Sequence, residues 1–215
     1  MTRLMDTIGQ SVRDRCRNAN LSPEDDEIRK AILRFFARTG NPPTVQEIAE
    51  IVSLPTDVVN RTIGKLRKAD VLTTQAGVIT SIYPFSAVKT RHTVVFADGH
   101  SANALCATDA LGVHFMLGED VNIVSRCPEC GHEILIVLKG GRVVLRDPSG
   151  AVEYAKARNH YGCTAETCCP NINLFCGRDH VNLWREKNPA FADGDIYEIE
   201  EALEDGRTIF GEFLK

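Results

Sequence analysis

Apolar and polar positions alternate in two different rhythms along the chain, and the rhythm changes near residue 70. Over residues 22–38, SPEDDEIRKAILRFFAR, a Ser cap, a Pro at the first helical position and an acidic first turn precede Ile28, Ile32, Phe35 and Phe36 at helical spacing. TGNPP breaks that helix. Thr44 then opens VQEIAEIV with Glu47 three residues on, a capping-box start. SLP makes a turn, and Thr56 opens a third helix, TDVVNRTIGKLRKAD. VLTTQAGVITSIY reads as two strands around Gly77. Three helices and a hairpin describe a winged helix-turn-helix-like module over residues 1–83.

Pro84 and the polar run SAVKTRH predict a hinge into a second unit, residues 84–215. There TVVFA and HSANAL flank a turn at Asp98-Gly99, and a helix is expected over 104–117. VNIVSR, HEILIVL and RVVLR follow as strands, the last two joined by Lys139-Gly140-Gly141. Residues 151–158 suit a strand or a short helix, NINLFC a strand, HVNLWREKN a helix, and IYEIEEALEDGRTIFGEFL a helical C-terminus. Short strands interrupted by helices predict the α+β class, with a mixed, mostly antiparallel sheet and flanking helices.

Charge narrows the partners. Residues 1–80 carry 12 basic and 10 acidic side chains, whereas residues 81–215 carry 13 and 19. Arg61, Lys65, Arg67 and Lys68 on the third helix could meet DNA phosphates. The small excess of positive charge and the lack of a basic hairpin favour a structural module instead, so nucleic acid is not an expected partner. No run of about 18 uncharged apolar residues predicts a membrane span, and MTRLMDTIGQSVRDRC is too polar for a signal-peptide core. The expectation is a cytoplasmic protein.

Eight cysteines, seven of them after residue 100, then read as metal ligands or reactive thiols rather than a disulfide framework. Cys106 and Asp109, within ALCATDALG, share a helix face at i, i+3. A helix N-terminus favours the thiolate, while an apolar setting raises the carboxyl and makes it a proton carrier. The bland alternative is a buried cysteine beside a capping aspartate. YGCTAETCCPNINLFCG adds Cys163, Cys168, Cys169 and Cys176. If Cys168 or Cys169 reaches Cys106, two sulfurs and a carboxylate meet, a set suited to two-coordinate Hg(II) or Cu(I). Cys127-Pro-Glu-Cys130-Gly-His is half of a zinc ribbon. Cys163 with Cys168, Cys169 or Cys176 could complete it as a structural zinc site, with His132 or His160 as substitutes. His100, His114 and His180 read as satisfied single histidines, Trp184 as a core anchor covering one side of the pocket, and the acidic run Asp193–Asp205 as a solvated helix face.

These residues together resemble the organomercurial lyase (alkylmercury lyase) family. The likeness rests on the helical N-terminal module, on TVVFADGHSANALCATDALGVHFMLG with its Cys-Ala-x-Asp helix, on VSRC at 124–127, and on TCCPNINLFCG followed by Leu183-Trp184. It implies cleavage of a carbon–mercury bond by protonolysis, with Cys106, Asp109 and Cys168 as the catalytic trio and Cys127 as a structural cysteine. It implies no cofactor, because the mercury arrives with the substrate and Hg(II) remains as bound product. Low-molecular-weight thiols or a mercuric reductase would then take the Hg(II). Cys130, Cys163 and Cys176 depart from the family's pattern, as does Asn103, where an aromatic residue is expected. The competing reading is a metal-sensing winged-helix regulator using Cys127, Cys130, Cys163 and Cys168.

Overall fold

A computed structural model describes residues 11–156 and 163–215. Helix α1 spans Val12–Asn18, α2 Pro23–Thr39, α3 Val45–Val52 and α4 Thr56–Lys68. The Ser22–Asp25 and Thr44–Glu47 capping boxes form as the spacing predicts, and Pro23 takes the first turn of α2. Strands β1 (Leu72–Gln75) and β2 (Val78–Ile82) form the expected hairpin. Ala76 and Gly77 turn it with φ of 50° and 81°. Helix α1 was not anticipated, because the segment has few apolar residues; Ser11 and Asp14 form its capping box.

The remaining strands are β3 (Phe85–Ser86), β4 (His92–Phe96), β5 (Ser101–Ala104), β6 (Val121–Arg126), β7 (Glu133–Lys139), β8 (Arg142–Asp147), β9 (Val152–Ala155), β10 (Ile172–Phe175) and β11 (Asp195–Glu198). β1 to β8 form one eight-stranded sheet in the order β1-β2-β3-β5-β4-β6-β7-β8, and β10-β9-β11 form a second. Every pairing in both is antiparallel, so the expected single mixed sheet is instead two antiparallel ones. The boundary expected at residues 83 and 84 falls between two strands that pair with each other, Ile82 opposite Phe85. The core is likewise continuous from Val12 in α1 to Phe213.

The remaining helices are α5 (Ala107–Leu117), α6 (Thr164–Thr167), α7 (Arg178–Lys187) and α8 (Ile199–Phe210). α5 starts at Ala107 with Cys106 as its cap, three residues later than the apolar run suggested. It packs on β4, β5, β6 and β10 on one side and on α8 on the other, which buries all but two of its side chains. Gly112 and Gly206 make the α5–α8 crossing close. A Cβ on Gly206 would lie 2.9 Å from the Gly112 nitrogen, and one on Gly112 would lie 2.2 Å from the Phe210 ring.

Two expectations fail in the C-terminal third. IYEI opens as strand β11 before α8 begins, because its alternation pairs it with β9. The acidic run is not wholly solvated either: Asp205 is buried, while Glu200, Glu201 and Glu204 face water. Trp184 is a core anchor, packed on Tyr154, Phe175 and Phe191 with ring centroids 4.9–5.5 Å away.

Candidate active site and a second thiol cluster

Cys106 is the cap of α5, and the cap geometry builds the site. Its backbone is extended (φ −147°, ψ −179°), which turns Sγ over the first helical turn. The Asp109 N–H donates to that sulfur at 3.3 Å, and the Cys106 thiol donates to Asp109 Oδ2 at 3.1 Å. This is an N-cap with sulfur in place of a hydroxyl, to which the Asp109 carboxyl adds a contact with the same thiol. The short sequence interval thus becomes a direct thiol–carboxyl contact.

The second sulfur is Cys169. Its Sγ lies 3.8 Å from Asp109 Oδ2 and 4.0 Å from the Tyr83 hydroxyl. The Cys106 and Cys169 sulfurs and an Asp109 oxygen all lie within 4.8 Å of one another. Cys168 does not join this set, contrary to the ungapped strand match. The Cys-Cys pair does not sit on a strand: Cys168 ends α6, Cys169 starts a 3-10 turn through Asn171, and β10 begins only at Ile172. In a helical turn adjacent side chains diverge, and Cys169 is the one aimed at Asp109. Cys168 lines the same cavity, fully buried.

That cavity is small, about 40 Å³, and bounded by Ser11, Val12, Tyr83, Ile172, Ile209 and Phe210 as well as by the thiols. Trp184 is not part of its lining, so the aromatic helix supports the second sheet rather than roofing the pocket. Arg15 reaches in from α1. Its guanidinium pairs with Asp70, bonds Thr164 Oγ1 at 2.8 Å and stacks 4.8 Å over the Tyr83 ring.

Burial dominates the electrostatics. It raises Asp109 to about 7, against the pull of the Cys106 hydrogen bond and the Arg15 charge. Burial also pushes the Cys106 thiol well above its ordinary value, with help from Cys169 and the Asp109 charge. The helix N-terminus therefore does not yield a resting thiolate here. At Cys169 the Cys106 hydrogen bond acts downward, but burial and Asp109 win and the thiol is raised. Burial lifts Cys168 to about 12. The site thus rests with neutral thiols around a carboxyl poised to gain or lose a proton near neutral pH.

Sequence reasoning missed Tyr83, Arg15, Thr108 and Glu153. Glu153 is fully buried in β9, where Thr108 Oγ1 donates to its two oxygens at 3.0 and 3.1 Å. Burial, with the charges of Asp205 and Asp109, raises it to about 8. A glutamate in an apolar strand is the one signal that could have flagged it.

Of the partners expected for the CPxCG cysteines, Cys176 arrives, with His180 in place of Cys163. Cys127 and Cys130 meet Cys176 and His180. Cys163 instead caps α6 beside Asp70, so neither the Cys127/Cys130/Cys163 set nor the regulator's four-cysteine sensor is assembled among the described residues. His160 lies outside the described residues, and His132 contributes its carbonyl to the knuckle. His180 is thus not an isolated histidine. His114 is a satisfied one, bonded to the Glu119 carbonyl and the Gly141 N–H.

The family model for MerB, alkylmercury lyase, matches residues 85–211. This chain belongs to the alkylmercury lyase family. It is accordingly an enzyme that cleaves the carbon–mercury bond of organomercurial substrates. The alkylmercury lyase of Staphylococcus epidermidis is 26% identical over 180 residues, spanning 84% of this chain and 80% of the relative. That of Bacillus cereus is 23% identical over 84% and 79%. The mercury-bound form of MerB2 shares the fold with a TM-score of 0.77 at 24% identity, over 95% of this chain and 99% of that one. Among the described residues no helix is long and apolar enough to cross a membrane.

Proposed function

We propose that this lyase works through Cys106, Cys169 and Asp109. The observation that carries the reading is the meeting of two sulfurs and a carboxyl raised to about 7 within 4.8 Å of one another. A substrate R–Hg–SR′ exchanges its thiol with one cysteine, giving Cys–S–Hg–R and releasing R′SH. The Asp109 carboxylate takes the proton of the second cysteine, whose thiolate adds to mercury. Sulfur donation from two sides weakens the Hg–C bond and builds charge on carbon. Asp109 then returns its proton to that carbon, RH leaves, and Hg(II) stays on the two sulfurs. Each proton is accounted for, and Asp109 ends as the carboxylate that began. Low-molecular-weight thiols, or a mercuric reductase, complete the cycle by taking the Hg(II).

Raised thiol pKa values suit this scheme. Neutral buried thiols resist oxidation, and the incoming metal itself displaces their protons. No organic or metal cofactor is called upon, because the reacting metal belongs to the substrate.

We read residues 1–83 as a winged-helix-like module and residues 84–215 as the lyase unit, in a cytoplasmic protein. Support for a structural role of the module comes from its sheet continuity with the rest and from Arg15, which faces the reacting groups rather than solvent.

The test is hydrocarbon release from methyl- or phenylmercury in excess thiol. Cys106→Ser and Cys169→Ser should each lower the rate at least about a hundredfold, with Cys168→Ser within about tenfold of the parent. Loss of activity in Cys168→Ser with full activity in Cys169→Ser would reverse the assignment of the second thiol.

A further inference from the structure

We propose that Cys127, Cys130, Cys176 and His180 hold one zinc ion, a structural site separate from the mercury chemistry. The four residues come from two distant places. Cys127 and Cys130 lie in the turn between β6 and β7, while Cys176 and His180 flank the junction of β10 and α7. Their Sγ and imidazole atoms all lie within 4.8 Å of one another.

The spacings match a metal better than a chance cluster. Tetrahedral zinc, with Zn–S of about 2.3 Å and Zn–N of about 2.0 Å, requires sulfur–sulfur edges of about 3.8 Å and sulfur–nitrogen edges of about 3.5 Å. Cys130 and Cys176 Sγ are 3.7 Å apart, and Cys127 Sγ is 3.5 Å from His180 Nδ1. The loop is already shaped for two thiolates. The Cys127 N–H bonds the His132 carbonyl, the Gly131 N–H bonds the Cys127 carbonyl, and Gly131 takes a left-handed φ of 73° that a side chain would oppose. Three thiolates and one imidazole form a closed set with no position left for substrate, as in structural zinc sites. Oxidation would leave a different arrangement, one Cys130–Cys176 disulfide and two spectators.

The location gives the ion a task. It ties the β6–β7 turn to the end of β10, the strand that follows the 3-10 turn opened by Cys169. The metal would thus anchor the segment that carries the second catalytic thiol while sharing no ligand with it.

The full chain, purified under reducing conditions, should carry about one zinc per molecule by elemental analysis. Cobalt substitution should give intense tetrahedral d–d bands and thiolate-to-cobalt charge transfer. Cys176→Ser should retain under about a tenth of the metal, whereas His180→Cys should keep it with a red-shifted cobalt spectrum. Cys106→Ser should leave zinc content unchanged. If Cys176→Ser does not fold, the cobalt spectra of wild type and His180→Cys decide alone. Folded wild type that binds neither zinc nor cobalt would overturn the proposal. So would a Cys130–Cys176 disulfide by mass, or zinc lost in Cys106→Ser but kept in Cys176→Ser.

Discussion

Asp109 is asked to hold a proton and to give it up within one turnover, and its surroundings set the balance between the two. Burial raises it, while the Cys106 hydrogen bond and the Arg15 charge lower it. Removing that charge should raise Asp109 further and reduce the ionised fraction able to accept a thiol proton near pH 7. Activity of Arg15→Gln should therefore rise with pH along a limb displaced to the alkaline side of the parent's limb near 7, and Arg15→Lys should restore it. A kcat/KM profile measures this directly; an unmoved limb would mean that Arg15 acts only through the packing of α1. Asp109→Asn should abolish hydrocarbon release, by about a hundredfold or more, yet still retain mercury on the two thiols, which separates proton delivery from metal capture. At this scale the sequence was informative about one half of the site. Cys106 and Asp109 are three residues apart, so local geometry alone brings them together. The choice between Cys168 and Cys169 depended on whether the pair sat on a strand or in a turn, which no period in TCCPN reveals. Arg15 and Tyr83 reach the site only through long-range packing, and they carry no local signature.

At the scale of elements, α5 is held by its contact with α8, and the contact exists because two residues lack side chains. Gly112 and Gly206 let the helices approach until the Phe210 ring covers Gly112. Alanine normally favours a helix over glycine by about 1 kcal/mol. Here a Cβ on Gly112 would sit 2.2 Å from the Phe210 ring, and overpacking of that kind costs about 1–3 kcal/mol. Gly112→Ala should thus be destabilising by urea unfolding, and Phe210→Leu in the same chain should return part of the loss. Additive loss in the double variant would show that the ring is not the obstacle. Capping boxes and period-two strands made most elements readable beforehand. α5 read three residues long because Cys106 is apolar, and its role as a cap through sulfur is not in the usual vocabulary of caps. Strand β11 hid inside a helical pattern, because pairing with β9 outweighs local propensity.

For the whole molecule, the two buried carboxyls make stability a function of pH with a definite sign. Asp109 is raised from 3.8 to about 7 and Glu153 from 4.5 to about 8, so the folded chain holds protons that the unfolded chain releases. Groups of this kind contribute stability that is fully present below their unfolded values, and it is lost as pH rises through the folded ones. The share of stability that these two carboxyls contribute should then fall from about pH 4 to about pH 8, partly offset up to about pH 6.5 by buried His92, whose pKa is lowered to about 4. Above the isoelectric point near 5.9 the growing negative charge pulls the same way through general repulsion, so wild type alone does not isolate the cause. Glu153→Gln does: it keeps the shape and can still accept from Thr108 while removing the ionisation. Its Tm should exceed that of the parent at pH 8.5 and differ little at pH 5, so the two melting curves converge on acidification. A parallel offset at both pH values would trace the effect to packing of β9 instead. The same buried environment that raises Asp109 into its working range thus charges the whole fold for it at alkaline pH, and Glu153 is the residue through which that coupling can be measured without touching the reacting groups.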